Sequence, residues 1–170
     1  MSELSEGQAG NRRILKSKKR LSEILDVAIE FERTARDFYA GLAPRVSKQL
    51  RYLVEELAEE EQRHFELFSE LRNRSDLKAQ IGEMVEIPAS DTQFSDCILL
   101  PELGESPDDQ AVLQYALGRE HKAIEQYSAL AESTGPGPIR DLFKFLADEE
   151  TQHKNELEKI YYEVVHSGGV

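Results

Sequence analysis

The sequence predicts an all-α protein, an up-and-down four-helix bundle made of two copies of one helical hairpin joined by a long crossover. An internal repeat, the spacing of apolar residues and the turn chemistry between helices carry that prediction. Shifted by 88 residues, Glu32, Tyr39, Leu42 and Ala43 fall on Glu120, Tyr127, Leu130 and Ala131. Shifted by 89, Leu53, Leu57, Ala58, Glu60, Glu61 and His64 fall on Leu142, Leu146, Ala147, Glu149, Glu150 and His153. The offset changes at Gly135-Pro136-Gly137-Pro138, a run that reads as a loop, where one extra residue leaves both flanking helices in phase.

The elements follow in order. Residues 1–20 read as a flexible segment, polar to residue 11 and basic over residues 12–20. Such a basic run can dock on an anionic surface, but in an acidic chain it reads first as a solvated lead-in to the bundle. The first helix is expected to start at Ser22, a good N-cap, and to end near Leu42, ahead of Pro44. Its apolar stripe is Leu25, Ile29, Tyr39 and Leu42, with Glu32 inside it. The second runs from Ser47 to about Asn73, with Leu50, Val54, Leu57, Glu61, His64, Phe68 and Leu71 at alternating steps of four and three. The third is expected at Ser106-Pro107, a cap followed by proline at the first helical position. Its stripe is Leu113, Leu117, Glu120, Ile124, Tyr127 and Leu130. The fourth starts near Pro138 and carries Ile139, Leu142 or Phe143, Leu146, Glu150, His153, Leu157, Ile160 and Val164. The bundle domain therefore covers residues 21–166. About residues 75–105 form the crossover, with an apolar patch at Ile98-Leu99-Leu100. A connection this long can be exchanged between subunits, so a homodimer is expected.

Composition narrows the function. At 170 residues the chain is long enough for one domain with a real core. Its net charge of −12 and pI near 4.8 make nucleic acid a poor partner and favour cations. The single Cys97 excludes an internal disulfide and any Cys-x-x-Cys site. No apolar run reaches the ~18 residues of a membrane span. With no signal-peptide pattern at its start, a cytoplasmic location is expected.

The chemistry lies in the repeat. Each copy has a Glu seven residues before a Tyr, Glu32 with Tyr39 and Glu120 with Tyr127. Each then has a Glu-x-x-His, Glu61 with His64 and Glu150 with His153, 29 and 30 residues after the lone Glu. Residues three apart share a helix face, so each Glu–His pair points inward together. Four carboxylates and two imidazoles then converge at mid-bundle. Burying bare carboxylates costs several kcal/mol each, whereas two divalent cations balance four of them. Alone, Glu32 or Glu120 would read as a solvated helix residue and either His as a satisfied core histidine. Their pairing in both copies favours metal ligation. Tyr39 and Tyr127, if buried, need hydrogen-bond partners, and a ligand carboxylate across the bundle is in reach. Glu60 and Glu149 can be exposed, or can hold the opposing His by its second ring nitrogen.

These motifs resemble the rubrerythrin-like branch of the ferritin-like di-iron carboxylate superfamily, from about Leu21 to Glu163. One Glu-x-x-His says little in a Glu-rich chain. Two, each after a matching Glu-x6-Tyr, repeat the ligand rule of such proteins. The resemblance implies two iron ions, with manganese or a mixed pair as alternatives, held by Glu32, Glu61, His64, Glu120, Glu150 and His153. Glu61 and Glu150 would bridge, and Glu32 and Glu120 would be terminal. It implies an oxidoreductase reacting with peroxide or oxygen, the tyrosines assisting, or a ferroxidase-type protein of iron storage. The chain lacks a Cys-x-x-Cys rubredoxin domain, so an external electron donor is implied. It also lacks the extra third-helix Glu that rubrerythrins share, the flanking positions being Leu117 and Ala123, which puts their peroxidase activity in doubt. A metal-free bundle acting as an interaction module is the reading the intact ligand set disfavours.

Overall fold

The computed structural model describes residues 18–87, 103 and 107–167. Strand β1 (Lys18–Arg20) leads into helix α1 (Leu21–Leu42), and a 3-10 turn at Ala43–Arg45 leads to α2 (Lys48–Arg72). A second 3-10 turn (Ser75–Leu77), the short helix α3 (Lys78–Ile81) and strand β2 (Met84–Glu86) follow. Helices α4 (Asp109–Ser133) and α5 (Pro138–Ser167) complete the ferritin-like bundle. The hairpins are α1 with α2 and α4 with α5, as the repeat predicts.

Several boundaries differ from expectation. Ser22 does not cap α1. That position falls to Arg20, which makes no capping bond with its side chain. Tertiary pairing sets the start instead: β1 runs antiparallel to β2, and the Leu21 N–H donates to the Glu83 carbonyl at 2.9 Å. The end of the basic run is thus a strand, and the first part of the crossover is structured. Most of its later part, with Cys97 and the apolar patch at 98–100, lies outside the described residues, as do the polar and basic residues 1–17. Ser47 does cap α2, accepting from the Leu50 N–H at 3.3 Å. Helix α4 starts later than expected because Asp108 competes as cap and accepts from the Ala111 N–H at 2.7 Å. Pro107 therefore precedes the cap, and Ser106 lies outside the described residues. Gly137 adopts φ +145°, which L side chains rarely take, and the loop is held by Gln80 Nε2 donating to the Gly135 carbonyl at 3.2 Å.

Two apolar layers fill the bundle. One is built around Leu21, Leu25, Phe68, Tyr127, Ile139 and Phe143, the other around Tyr39, Leu42, Leu50, Leu57, Leu113 and Leu157. The inward face of α4 is rotated from the expected stripe. Leu117 and Ile124 are only half-buried, while Ala116 and Ala123 sit inside. Ile29 of α1 is likewise half-buried. Among the described residues, no helix is long and apolar enough to cross a membrane.

Candidate metal centre

Six side chains from the four long helices meet between the apolar layers. Glu32 of α1, Glu61 and His64 of α2, Glu120 of α4, and Glu150 and His153 of α5 are each at most 5% exposed. They form two overlapping groups. One is Glu32, Glu61, His64 and Glu150; the other is Glu61, Glu120, Glu150 and His153. In each group one donor atom per residue lies within 4.8 Å of all the others. Glu61 and Glu150 belong to both, the positions that sharing between two ions requires.

The histidines present the same nitrogen to the centre. His64 Nδ1 lies 3.2 Å from Glu150 Oε1 and 3.5 Å from both Glu32 Oε2 and Glu61 Oε2. His153 Nδ1 lies 3.3 Å from Glu150 Oε2 and 3.9 Å from Glu120 Oε2. The rings stack at 17° with centroids 6.2 Å apart. Each Nε2 turns outward to a carboxylate of the opposite hairpin. His64 Nε2 is 2.6 Å from Glu149 Oε2, and His153 Nε2 contacts Glu60 Oε2. This is the crossed arrangement that the Glu-Glu-x-x-His repeat allowed, and it fixes both rings with Nδ1 facing inward. Replacing Glu60 and Glu149 together with Gln should weaken metal affinity about 10–100-fold, measured by chelator competition. Unchanged affinity would mean the rings are oriented by packing alone.

The donor set fits a pair of metal ions. Glu32 Oε2, His64 Nδ1 and Glu150 Oε1 are buried without hydrogen-bond partners. Their separations are short, but no ring N–H is aimed well enough to bond. Atoms this polar rarely stay unpaired in a protein interior unless something else satisfies them. The charges agree. Burial, then the neighbouring Glu32 and Glu150, pushes the Glu61 carboxyl well above its ordinary range. Burial, then Glu150, does the same to Glu120. Burial also works against the Glu150 carboxylate, but the adjacent Glu120, His153 and His64 outweigh it and hold its pKa down. Burial disfavours charge on His153 too, yet Glu150 and Glu60 raise it to about 10. His64 is raised as well, its four carboxylate neighbours, Glu149 foremost, overcoming burial. The bond to His64 lowers Glu149.

The tyrosines differ. The Tyr127 hydroxyl donates to Glu32 Oε1 across the hairpins. Tyr39 occupies the equivalent place and is as deeply buried, but its hydroxyl has no partner. The bond to a ligand carboxylate that the repeat allowed for both tyrosines is thus made by Tyr127 and not by Tyr39. Sequence reading also passed over Arg119, 4% exposed beside the centre. The available signal was its place in the repeat, where the first copy has Phe31.

Fold and centre together define a ferritin-like helical-bundle protein with a buried carboxylate–histidine cluster that fits two metals. The rubrerythrin family model matches residues 23–161, and the chain belongs to that family. Among solved structures, the chain is similar to a Thermotoga maritima protein described as a ferritin-like diiron-carboxylate protein. They share 22% identity, with a TM-score of 0.68 over 88% of this chain and 99% of that one. A hypothetical protein from Pyrococcus furiosus shares 25% identity, with a TM-score of 0.62 over 86% and 90%. The dodecameric thioferritin, a bacterioferritin-related protein from Bacteroides fragilis, shares 22% identity, with a TM-score of 0.65 over 87% and 88%. No curated protein gives a significant match.

Proposed function

We propose that the protein is a non-haem di-iron oxidoreductase that reacts with peroxide or oxygen and is re-reduced by an external electron donor. The observation that carries this reading is that the two four-residue groups have Glu61 and Glu150 in common. A pair of redox-active ions sharing two carboxylates supplies two electrons to one oxidant. Glu32 and His64 would complete one position, and Glu120 and His153 the other. Iron is the metal proposed from the family; oxygen and imidazole donors also accept manganese.

The chain's own groups do the rest. The apolar layers on either side keep bulk water from the centre, which strengthens every charge interaction inside. The Tyr127 hydroxyl holds Glu32 by Oε1, leaving Oε2 toward the metal. It is also a proton source one bond from that carboxylate. Ala123 is buried where rubrerythrins resemble one another in an extra carboxylate, so no seventh ligand arises from that position. These 170 residues contain no Cys-x-x-Cys site, so electrons for re-reduction come from outside the bundle.

The test is anaerobic loading with ferrous iron, then single-turnover kinetics with peroxide and with oxygen. About two irons per chain are expected, oxidised in one turnover and re-reduced only by an added reductant. Uptake of many irons per chain would support the ferroxidase-type storage reading instead. Saturation at one iron, or no oxidation by either oxidant, overturns the proposal.

A further inference from the structure

The six candidate ligands are buried, but two carboxylates connect them to solvent. Glu149, its side chain 34% exposed, lies 2.6 Å from His64 Nε2. Glu60, 22% exposed, contacts His153 Nε2. Both contacts cross from α2 to α5, and their order shows that the two helices run antiparallel along this seam. One turn before Glu60 on α2 comes Glu56, and one turn after His153 on α5 comes Glu156. Both are exposed. They line a groove of about 370 Å³ together with Tyr52, Leu53, Lys159 and Ile160. The groove therefore continues the seam from the Glu60–His153 contact outward.

Acidic residues along a groove are ordinary in a chain of net charge −12. These differ in where the seam leads. Glu32 Oε2, His64 Nδ1 and Glu150 Oε1 are buried without hydrogen-bond partners. His64 spans the distance, with Nε2 on Glu149 in the seam and Nδ1 beside Glu150 in the centre. The alternative ways in pass through the apolar layers on either side of the centre. A divalent ion crossing those would give up its hydration with nothing in exchange, at a cost of many kcal/mol. The seam instead offers carboxylate oxygens in successive turns.

We propose that divalent metal enters and leaves the centre through the α2–α5 seam, gathered in the groove by Glu56 and Glu156 and passed inward by Glu60 and Glu149. The inference rests on the two-metal reading and adds a path to it. Two cations oppose the passage: Lys159 in the groove, and Arg63, 67% exposed and 3.7 Å from Glu60. Glu56 and Glu156 touch neither ring nor ligand in this arrangement, so they act on the rate of exchange and not on the bound state. A charge along the path changes the barrier equally for entry and for exit.

Stopped-flow mixing of metal-free protein with cobalt(II), without oxygen and at low salt, tests this. The visible absorption of bound cobalt gives the association rate, and chelator challenge gives the dissociation rate. Glu56→Gln with Glu156→Gln should slow both about fivefold, leave affinity within about twofold, and flatten the salt dependence of association. Lys159→Gln should speed association. Net charge alone also steers cations, so a control removes the same charge elsewhere. Glu70→Gln with Glu132→Gln, exposed positions outside the groove, should change the rates less than twofold. These surface changes spare the core, and equal cobalt content at saturation shows that the centre is intact. Two cobalt ions bound with wild-type rates in the groove variant, or equal slowing in the control, overturns this inference alone. Saturation of the wild type at one cobalt overturns the two-metal reading and this inference with it.

Discussion

Replacing Glu150 with Ala should empty both metal positions, taking metal content from about two ions per chain to below one. The reason is geometric. Glu150 Oε1 faces His64 Nδ1 at 3.2 Å, and Glu150 Oε2 faces His153 Nδ1 at 3.3 Å. The carboxylate thus has one oxygen toward each position, and its loss leaves both short of a donor and of negative charge. Glu61→Ala should act the same way, because Glu61 also belongs to both groups. Glu32→Ala and Glu120→Ala should each cost one ion. Elemental analysis of protein loaded anaerobically gives the counts, and the optical signature of paired ferric ions gives the coupling. A control separates this from misfolding. In metal-free protein the Glu61 carboxyl is pushed toward its neutral form by burial and by Glu32 and Glu150. Glu61→Gln, neutral and of the same shape, should therefore melt no lower than the metal-free parent while failing to hold the pair. Full metal content and parent oxidation rates in Glu150→Ala would end the shared-carboxylate reading.

How much of this was legible depended on whether the determinant was local. The four long helices and the inward placement of all six candidate ligands follow from period and repeat. A Glu and a His three apart must share a helix face, and the flanking Leu57 and Phe68 say which face is buried. The crossed contacts of Glu60 and Glu149 were one of two readings, because a helix residue next to a ligand can turn to solvent or to the neighbouring helix. Only packing of the two hairpins decides between them. The start of α1 was misread for a similar reason. Ser22 is a good cap by type, but the pairing of β1 with residues over sixty positions away governs where the helix begins. On α4, choosing Leu117 and Ile124 over Ala116 and Ala123 followed hydrophobicity. Packing of the hairpins set the rotation of α4, which buries Ala116 and Ala123 beside Leu113, Tyr127 and Leu130. The unequal tyrosines and the buried Arg119 break the repeat, and a repeat carries no information about its own exceptions.

Removing the metals should lower the melting temperature, and the gap between loaded and metal-free protein should widen as pH rises. At free metal about a thousandfold above the dissociation constant, binding contributes about 4 kcal/mol. For a chain of this size that is a shift on the order of 10 °C. The pH dependence comes from groups that hold protons when the metals are absent. His153 is raised from 6.5 to about 10 by Glu150 and Glu60 against the opposing effect of burial. Its contribution to stability is fully present below about 6.5 and is lost as pH climbs through about 10. His64 is raised in the same sense. Burial raises the Glu61 and Glu120 carboxyls, so ionising them above the ordinary Glu range costs the metal-free fold stability. Glu149 acts oppositely: the bond to His64 lowers it, and its contribution is present above 4.5 and lost as the solution is acidified. Metal-free protein should then be most stable near pH 5–6.5 and melt progressively lower toward pH 9. Loading must displace protons from His64, His153, Glu61 and Glu120, so affinity should rise with pH and binding should acidify a weakly buffered solution. Thermal melts with chelator and with excess metal, from pH 6 to 9, together with indicator-dye proton counts, measure both effects. A gap that stays constant across that range, with no protons released, would show that the buried groups are already deprotonated before the metal arrives.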